Sequence, residues 1–165
     1  MSKWIEQRWD IKHIRNGKVI YEEKNKKNIV PNQGEKAILE VFYRGIDSIV
    51  PNDKFYIGLY NGSIGESTTL ATIPSEPSGN GYSRQEVERS TTGWPTIELH
   101  EGDWRVVSKE IELTASGGNI GPVNGAFIAT TLDNSGSLIG AVAMAVERTV
   151  IAGDRILFQI RAKHK

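Results

Sequence analysis

Four residues of this chain have the types and spacing for chemistry: Glu98, His100, Glu101 and Asp103. Glu98 and His100 stand two apart, so on a strand they share a face and can converge on a metal ion or act as an acid/base pair. A pair of carboxylates cleaving a glycoside would also need a cleft, and no pattern in the sequence announces one. The competing reading is a solvated turn with ordinary charges, since Glu101-Gly102 reverses the chain. The other titratable groups are scattered. His13 and His164 are isolated, and Asp133, Glu147 and Asp154 lie near strand ends without catalytic spacing. Gly58-x-x-x-Gly62-x-x-Gly65 is followed by no Gly-Lys-Ser/Thr and opens no helix, so it is a set of turn glycines rather than a phosphate loop. No catalytic, metal-binding or cofactor-binding residue is assigned, and the chain is expected to be non-enzymatic and to need no cofactor.

Aromatic residues offer a different chemistry. Trp4, Trp9, Trp94 and Trp104, with Tyr60 and Tyr82, could stack on sugars, and Trp94-Pro95 falls at a turn. Packing in a core or a subunit interface is the simpler use of such side chains. Asn61-Gly62-Ser63 matches a glycosylation acceptor, but the N-terminus has no apolar core or cleavage site of a secretory signal, so the match is read as chance. Lys24, Lys26 and Lys27 adjoin Glu22 and Glu23 and read as a solvated hairpin edge.

The elements that must position these residues are mostly strands. Residues 4–24 form a hairpin around Asn16-Gly17, because a type I′ turn needs φ > 0 at both central positions. Trp9 and Ile11 share one face, with Val19 and Tyr21 able to face them. Lys24 to Lys27 is a polar exit. Asn32 is a plausible N-cap with Glu35 three residues on. A short amphipathic helix follows, at about 33–44, with Ala37, Ile38, Val41 and Phe42 on one side and a stop at Gly45. Phe55-Tyr56-Ile57-Gly58-Leu59-Tyr60 is a half-buried strand by composition. Residues 61–81 form a long turn-rich loop, and long ordered loops in compact domains are usually functional.

Further strands are expected at 82–91, 96–100, 103–107 and 109–114, with Ile111 and Leu113 inward. Ala115 to Pro122 is a second Gly-rich loop. The segments 123–132 and 138–146 are nearly continuous in apolar or small residues, as strands covered on two faces are. A last strand runs from Arg155 to Arg161. The spacing predicts an all-β chain, an antiparallel β-sandwich or jelly-roll-like domain, because no helices alternate with the strands. Residues 1–30 would be an N-terminal hairpin or arm and 31–165 the sandwich.

At 165 residues the chain is long enough to bury a core without staples. It has no cysteine, so disulfides and thiolate chemistry are excluded. Lys+Arg and Asp+Glu both total 20, and this balance argues against nucleic acid as a partner while tolerating close packing among copies. No apolar run approaches the length of a membrane span, so no membrane partner is expected.

Trp9-Asp10-Ile11, Asn16-Gly17-Lys18-Val19, Asn28-Ile29-Val30-Pro31-Asn32-Gln33-Gly34, Phe55-Tyr56-Ile57-Gly58-Leu59, Gly81-Tyr82-Ser83-Arg84 and Ala152-Gly153-Asp154-Arg155-Ile156-Leu157 occur in an order that resembles small virion structural proteins of tailed bacteriophages. Capsid decoration (cement) proteins are the group it suggests most. The resemblance implies a non-enzymatic β-rich protein, often a homotrimer, assembled in the host cytoplasm. Its place would be the outer capsid surface, where it stabilises the head. The partners would then be the major capsid protein and further copies of the chain. Trp4, Ile5, Trp9 and Ile11 would contact the capsid, unless Trp4 and Trp9 cap the domain's own core. The strands at 123–132 and 138–146 would lie in the oligomer's shared core. The loop 61–81, with Tyr60, Tyr82 and Trp94 as contacts, would clasp a neighbour or project outward. The alternative is a tail, baseplate or fibre component, binding a receptor or glycan through Trp94 and Tyr82. A small hydrolase using Glu98, Glu101 or Asp103 is the third reading.

Overall fold

The fold is seen in a computed structural model that describes residues 5–164. β1 (Ile5–Arg15) and β2 (Lys18–Lys27) form the expected hairpin, with Asn16 at φ 49° and Gly17 at φ 73° in its turn. The segment 24–27, read as a polar exit, continues β2 to Lys27. Helix α1 (Asn32–Arg44) follows. Next come β3 (Lys54–Tyr60), β4 (Gln85–Glu88), β5 (Thr96–His100), β6 (Asp103–Val107) and β7 (Ile111–Thr114). The chain closes with β8 (Ile120–Ala129), β9 (Leu138–Val150) and β10 (Arg155–His164).

Two antiparallel sheets make an all-β sandwich. The larger has the order β2-β1-β10-β6-β5, with β7 also paired to β10, and the smaller has the order β4-β3-β8-β9. β1 lies along β10 from Ile5↔His164 to Ile14↔Arg155. Residues 5–27 are therefore built into the sheet that carries the last strand, and do not stand apart as an arm. The hairpin register also differs from expectation. Irregularities between Trp9 and Ile11, and between His13 and Ile14, shift the pairing, so that Tyr21 faces His13 and Val19 faces Ile14.

The main core lies between the sheets. Trp9, Ile11, Ile156, Phe158 and Ile160 from the larger sheet meet Ile57, Leu59, Ala126, Ile128, Val142 and Met144 from the smaller. Trp9 meets Phe158 edge to face, with centroids 5.9 Å apart. Ile111 and Leu113 of β7 join this core, while Glu112 stays exposed.

A second cluster covers the opposite face of the smaller sheet. Tyr60, Phe127, Ala129, Leu138 and Ala141 point outward there, and Leu70, Ile64 and Ile73 of the long loop close over them. The paired halves of β8 and β9, residues 125–129 and 138–142, are thus covered on both faces by the chain itself, which accounts for their near-continuous apolar composition. These halves contribute to the chain's own core.

α1 docks on β9 through close backbone approach. A Cβ on Gly34 would lie 2.6 Å from the Ile139 carbonyl oxygen, so only glycine fits. The Gln33 amide oxygen accepts from the backbone N–H of both Leu70 and Leu138 at 2.8 Å, tying helix, loop and β9 together. The helix starts after an extended Pro31 with no side-chain cap, so the expected cap at Asn32 does not form, but Gly45 ends it at φ 63°. Ala37 is buried and Ile38 packs on the core, whereas Phe42, expected beside them, faces solvent.

Truncating Trp9→Ala empties the centre of the main core. It is expected to cost about 3–5 kcal/mol, read by chemical denaturation. A loss under about 1 kcal/mol would mean that Trp9 sits at a surface after all.

Candidate functional site

Glu98, His100, Glu101 and Asp103 all fall on the β5–β6 hairpin, closed by Glu101 (φ 52°) and Gly102 (φ 88°). They do not converge on a common point. Glu98 pairs with Arg105 at 2.6 Å and Asp103 with Lys163 at 2.9 Å. His100 Nε2 stands 3.8 Å from Glu101. The Lys163 ammonium holds the Asp103 carboxyl below its ordinary range. The cluster is an alternation of charges across adjacent strands, and among the described residues no three His, Asp or Glu side chains are grouped to hold a metal ion.

The proposed contact aromatics turn inward. Tyr60 is buried, and its hydroxyl donates to the Val142 carbonyl at 3.2 Å. Burial pushes that phenol up to about 12. Tyr82 donates to Glu76 at 2.7 Å and accepts from the Leu59 N–H at 2.9 Å. Trp94 packs edge-on against Phe55, with its indole nitrogen buried. Tyr60 is closed off from solvent, whereas Tyr82 and Trp94 are partly buried against the main core. Trp9 and Ile11 lie wholly inside the core and cannot meet a capsid in the folded chain. Ile5 is half-buried at the start of β1, and Trp4 lies outside the described residues.

The long loop neither projects nor waits open. Arg84 is buried, and it clamps the loop to the β8–β9 turn. Its guanidinium donates to both Glu76 oxygens, at 2.8 and 2.7 Å. It also donates to the carbonyls of Thr131 and Asp133, at 3.1 and 2.6 Å, and to the Asn134 side chain. The same guanidinium lies over the Phe127 ring, 5.0 Å from its centroid. Sequence reading noticed Arg84 only as the end of a motif, because its partners lie up to 50 residues away.

A second buried ionic group ties the first hairpin to the last turn. His13 Nε2 donates to Asp154 Oδ2 at 2.7 Å, and Arg15 binds the same carboxylate. Arg148 Nε donates to His13 Nδ1 at 3.2 Å, which fixes a neutral imidazole. Burial pushes His13 below its ordinary 6.5. The Arg15 hydrogen bond takes Asp154 from 3.8 down to about 2.

Large apolar side chains are exposed at Val19 and Ile20 on β2, at Leu132 and at Val146, and in two further groups on the β5–β6 hairpin and α1. On β5 and β6, Ile97, Leu99 and Trp104 are 71%, 61% and 63% exposed. Leu99 lies directly opposite Trp104, and Ile97 opposite Val106, so the four side chains share one sheet face. Val106 pairs with Ala162, and Ala162 with Gln7, which places them on the core-facing side of the larger sheet. The patch thus prolongs the inner face beyond the reach of the smaller sheet. On α1, Leu39, Phe42 and Tyr43 form an outward stripe, with Phe42 77% exposed.

Two tests follow from the buried ionic groups. A histidine whose folded pKa is depressed favours the folded state above its unfolded value and disfavours it as pH falls, since the unfolded chain binds the proton first. Stability should therefore decline below about pH 6.5 and again below about pH 4, where Asp154 of the unfolded chain binds a proton that the folded chain takes up only at about pH 2. His13→Gln should flatten the first decline in thermal melts between about pH 7 and pH 5. An unchanged profile would mean that His13 does not govern it. Arg84→Ala leaves Glu76 and two carbonyls without their cation and should cost about 3 kcal/mol. Hydrogen exchange should rise selectively in residues 61–84, and uniform exchange across the chain would contradict the clamp.

No curated protein and no solved structure matches this chain. One protein family does: the one described as Podophage GP4 fiber I protein gp80 matches residues 30–163, from the approach to α1 to within β10. That match covers the smaller sheet, the clamped loop, the exposed hairpin and the larger sheet apart from β1 and β2, and the chain therefore belongs to this family of bacteriophage virion structural proteins.

Proposed function

We propose that the protein is a component of a phage tail fibre, acting as a rigid building block rather than as a capsid decoration protein. The observation that carries this reading is the match to a fibre family across most of the chain. The capsid contact suggested for Trp9 and Ile11 finds no support, because β1 is an interior strand of the larger sheet with both side chains in the core. Two loops that could have been mobile recognition elements are held down, one by Arg84 and one by Asp154. The apolar side chains left on the surface, at Ile97, Leu99 and Trp104 and at Leu39, Phe42 and Tyr43, are suited to docking on other protein. Such a component acts by geometry, transmitting position along a fibre and presenting surfaces to its neighbours.

The test is genetic. Phage grown without this chain should yield filled heads that resist heat as wild-type heads do, but should adsorb to host cells at least about tenfold less, equivalent to about 1.4 kcal/mol of apparent affinity. Heads that leak their contents on mild heating, with normal adsorption, would return the protein to the capsid.

A further inference from the structure

We infer that two copies of this chain associate through β5, edge to edge and antiparallel, with Leu99 on the two-fold axis. This inference concerns the chain alone and stands whether or not the protein belongs to a fibre.

The five edge strands are treated differently, and β7, paired only to β10, is four residues long and holds Glu112. β2 ends the larger sheet on one side and carries Lys18, Lys24, Lys26 and Lys27, with two pairing irregularities behind it, which is how an edge is guarded against another strand. β4 is four residues long and holds Glu86 and Glu88. β9 is covered along its edge by Ile29, which bridges Ala141, and by Glu23, which accepts the Ala145 N–H at 3.1 Å. β5 ends the larger sheet on the other side with Thr96-Ile97-Glu98-Leu99-His100, which has no lysine, no proline and no irregularity in its pairing with β6. An extended edge with exposed apolar side chains accepts a further strand.

The backbone fixes which residues can pair. In a two-residue hairpin the closing pair, here His100 and Asp103, is hydrogen-bonded, and bonded and non-bonded positions alternate from there. Glu98 and His100 thus direct their amides toward β6, and Ile97 and Leu99 direct theirs outward. An incoming strand finds its donors and acceptors at Ile97 and Leu99.

The side chains then choose the occupant. Glu98 and His100 flank Leu99 symmetrically on the outer face. Two antiparallel copies centred on Leu99 place each Glu98 carboxylate opposite the other copy's His100, a hydrogen bond the imidazole can donate in either charge state. Leu99 meets its own copy on the inner face, beside both Trp104 rings. This is the self-complementarity of an isologous interface. Zero net charge and the internal pairing of Arg105 with Glu98 and Lys163 with Asp103 leave little repulsion between copies. A centre at Glu98 would instead oppose two carboxylates.

Light scattering on the full chain should give twice the chain mass at micromolar concentration. The double substitution Ile97→Lys and Leu99→Lys should give a monomer with an unchanged circular dichroism spectrum. Phe42→Lys, on the exposed face of α1, should leave the dimer intact. His100→Glu sets like charges opposite each other twice and should weaken the dimer about tenfold. Adding Glu98→His in the same chain exchanges the two partners and should restore association. A wild-type monomer, a dimer indifferent to the lysines, or an exchange variant as weak as His100→Glu would each overturn the inference.

Discussion

The pairing of β1 with β10 is the constraint on which the structure rests. It joins the two ends of the described chain through an unbroken ladder and places them at the centre of the larger sheet. Everything else in that sheet is attached to this pair. β2 hangs from β1, while β6 and β7 share the other edge of β10. The inward side chains of the two strands, Trp9 and Ile11 with Ile156, Phe158 and Ile160, form one wall of the core. Closing such a long-range contact is entropically costly, and the apolar area that Trp9 and Phe158 bury offsets it.

The second organising feature is the way the chain covers its own smaller sheet. β3, β8 and β9 are apolar on both faces. One face meets the larger sheet, and the other would be an aggregation hazard were it bare. The loop after β3 supplies Leu70, Ile64 and Ile73 as a lid, and Arg84, Tyr82 and Gln33 fasten that lid with hydrogen bonds. Length and turn-rich composition thus mark a structural cover here. The β5–β6 hairpin stays exposed, because among the described residues the smaller sheet ends before it and no loop covers it.

Much of this was legible in the residues. Asn16-Gly17 gave its hairpin, Gly45 its helix stop, and the unbroken apolar runs of β8 and β9 their two-sided burial. Local backbone chemistry and period account for those successes. Pairing between distant segments was not legible. Nothing in Trp4 to Ile14 announces that its partner strand lies at Arg155 to His164, and so an interior strand was read as an arm. Residue type alone also misled on exposure. Trp94 and Tyr82, weighed as contacts against packing, are partly buried against the core, while Trp104, on a strand that overhangs the core, is exposed. Glu98 and His100 were rightly placed on one strand face, but the cations of the cluster, Arg105 for Glu98 and Lys163 for Asp103, each on the strand next to its partner, were invisible to spacing.

The central claim is that this sandwich belongs to the tail fibre of a phage particle. The most direct measurement is a cryo-electron microscopy reconstruction of the virion at a resolution that separates strands. The account predicts density for a two-sheet domain, with the loop closed over the smaller sheet, within the fibres that leave the tail. The same density sitting on the outer face of the capsid, with none in the fibres, would contradict it.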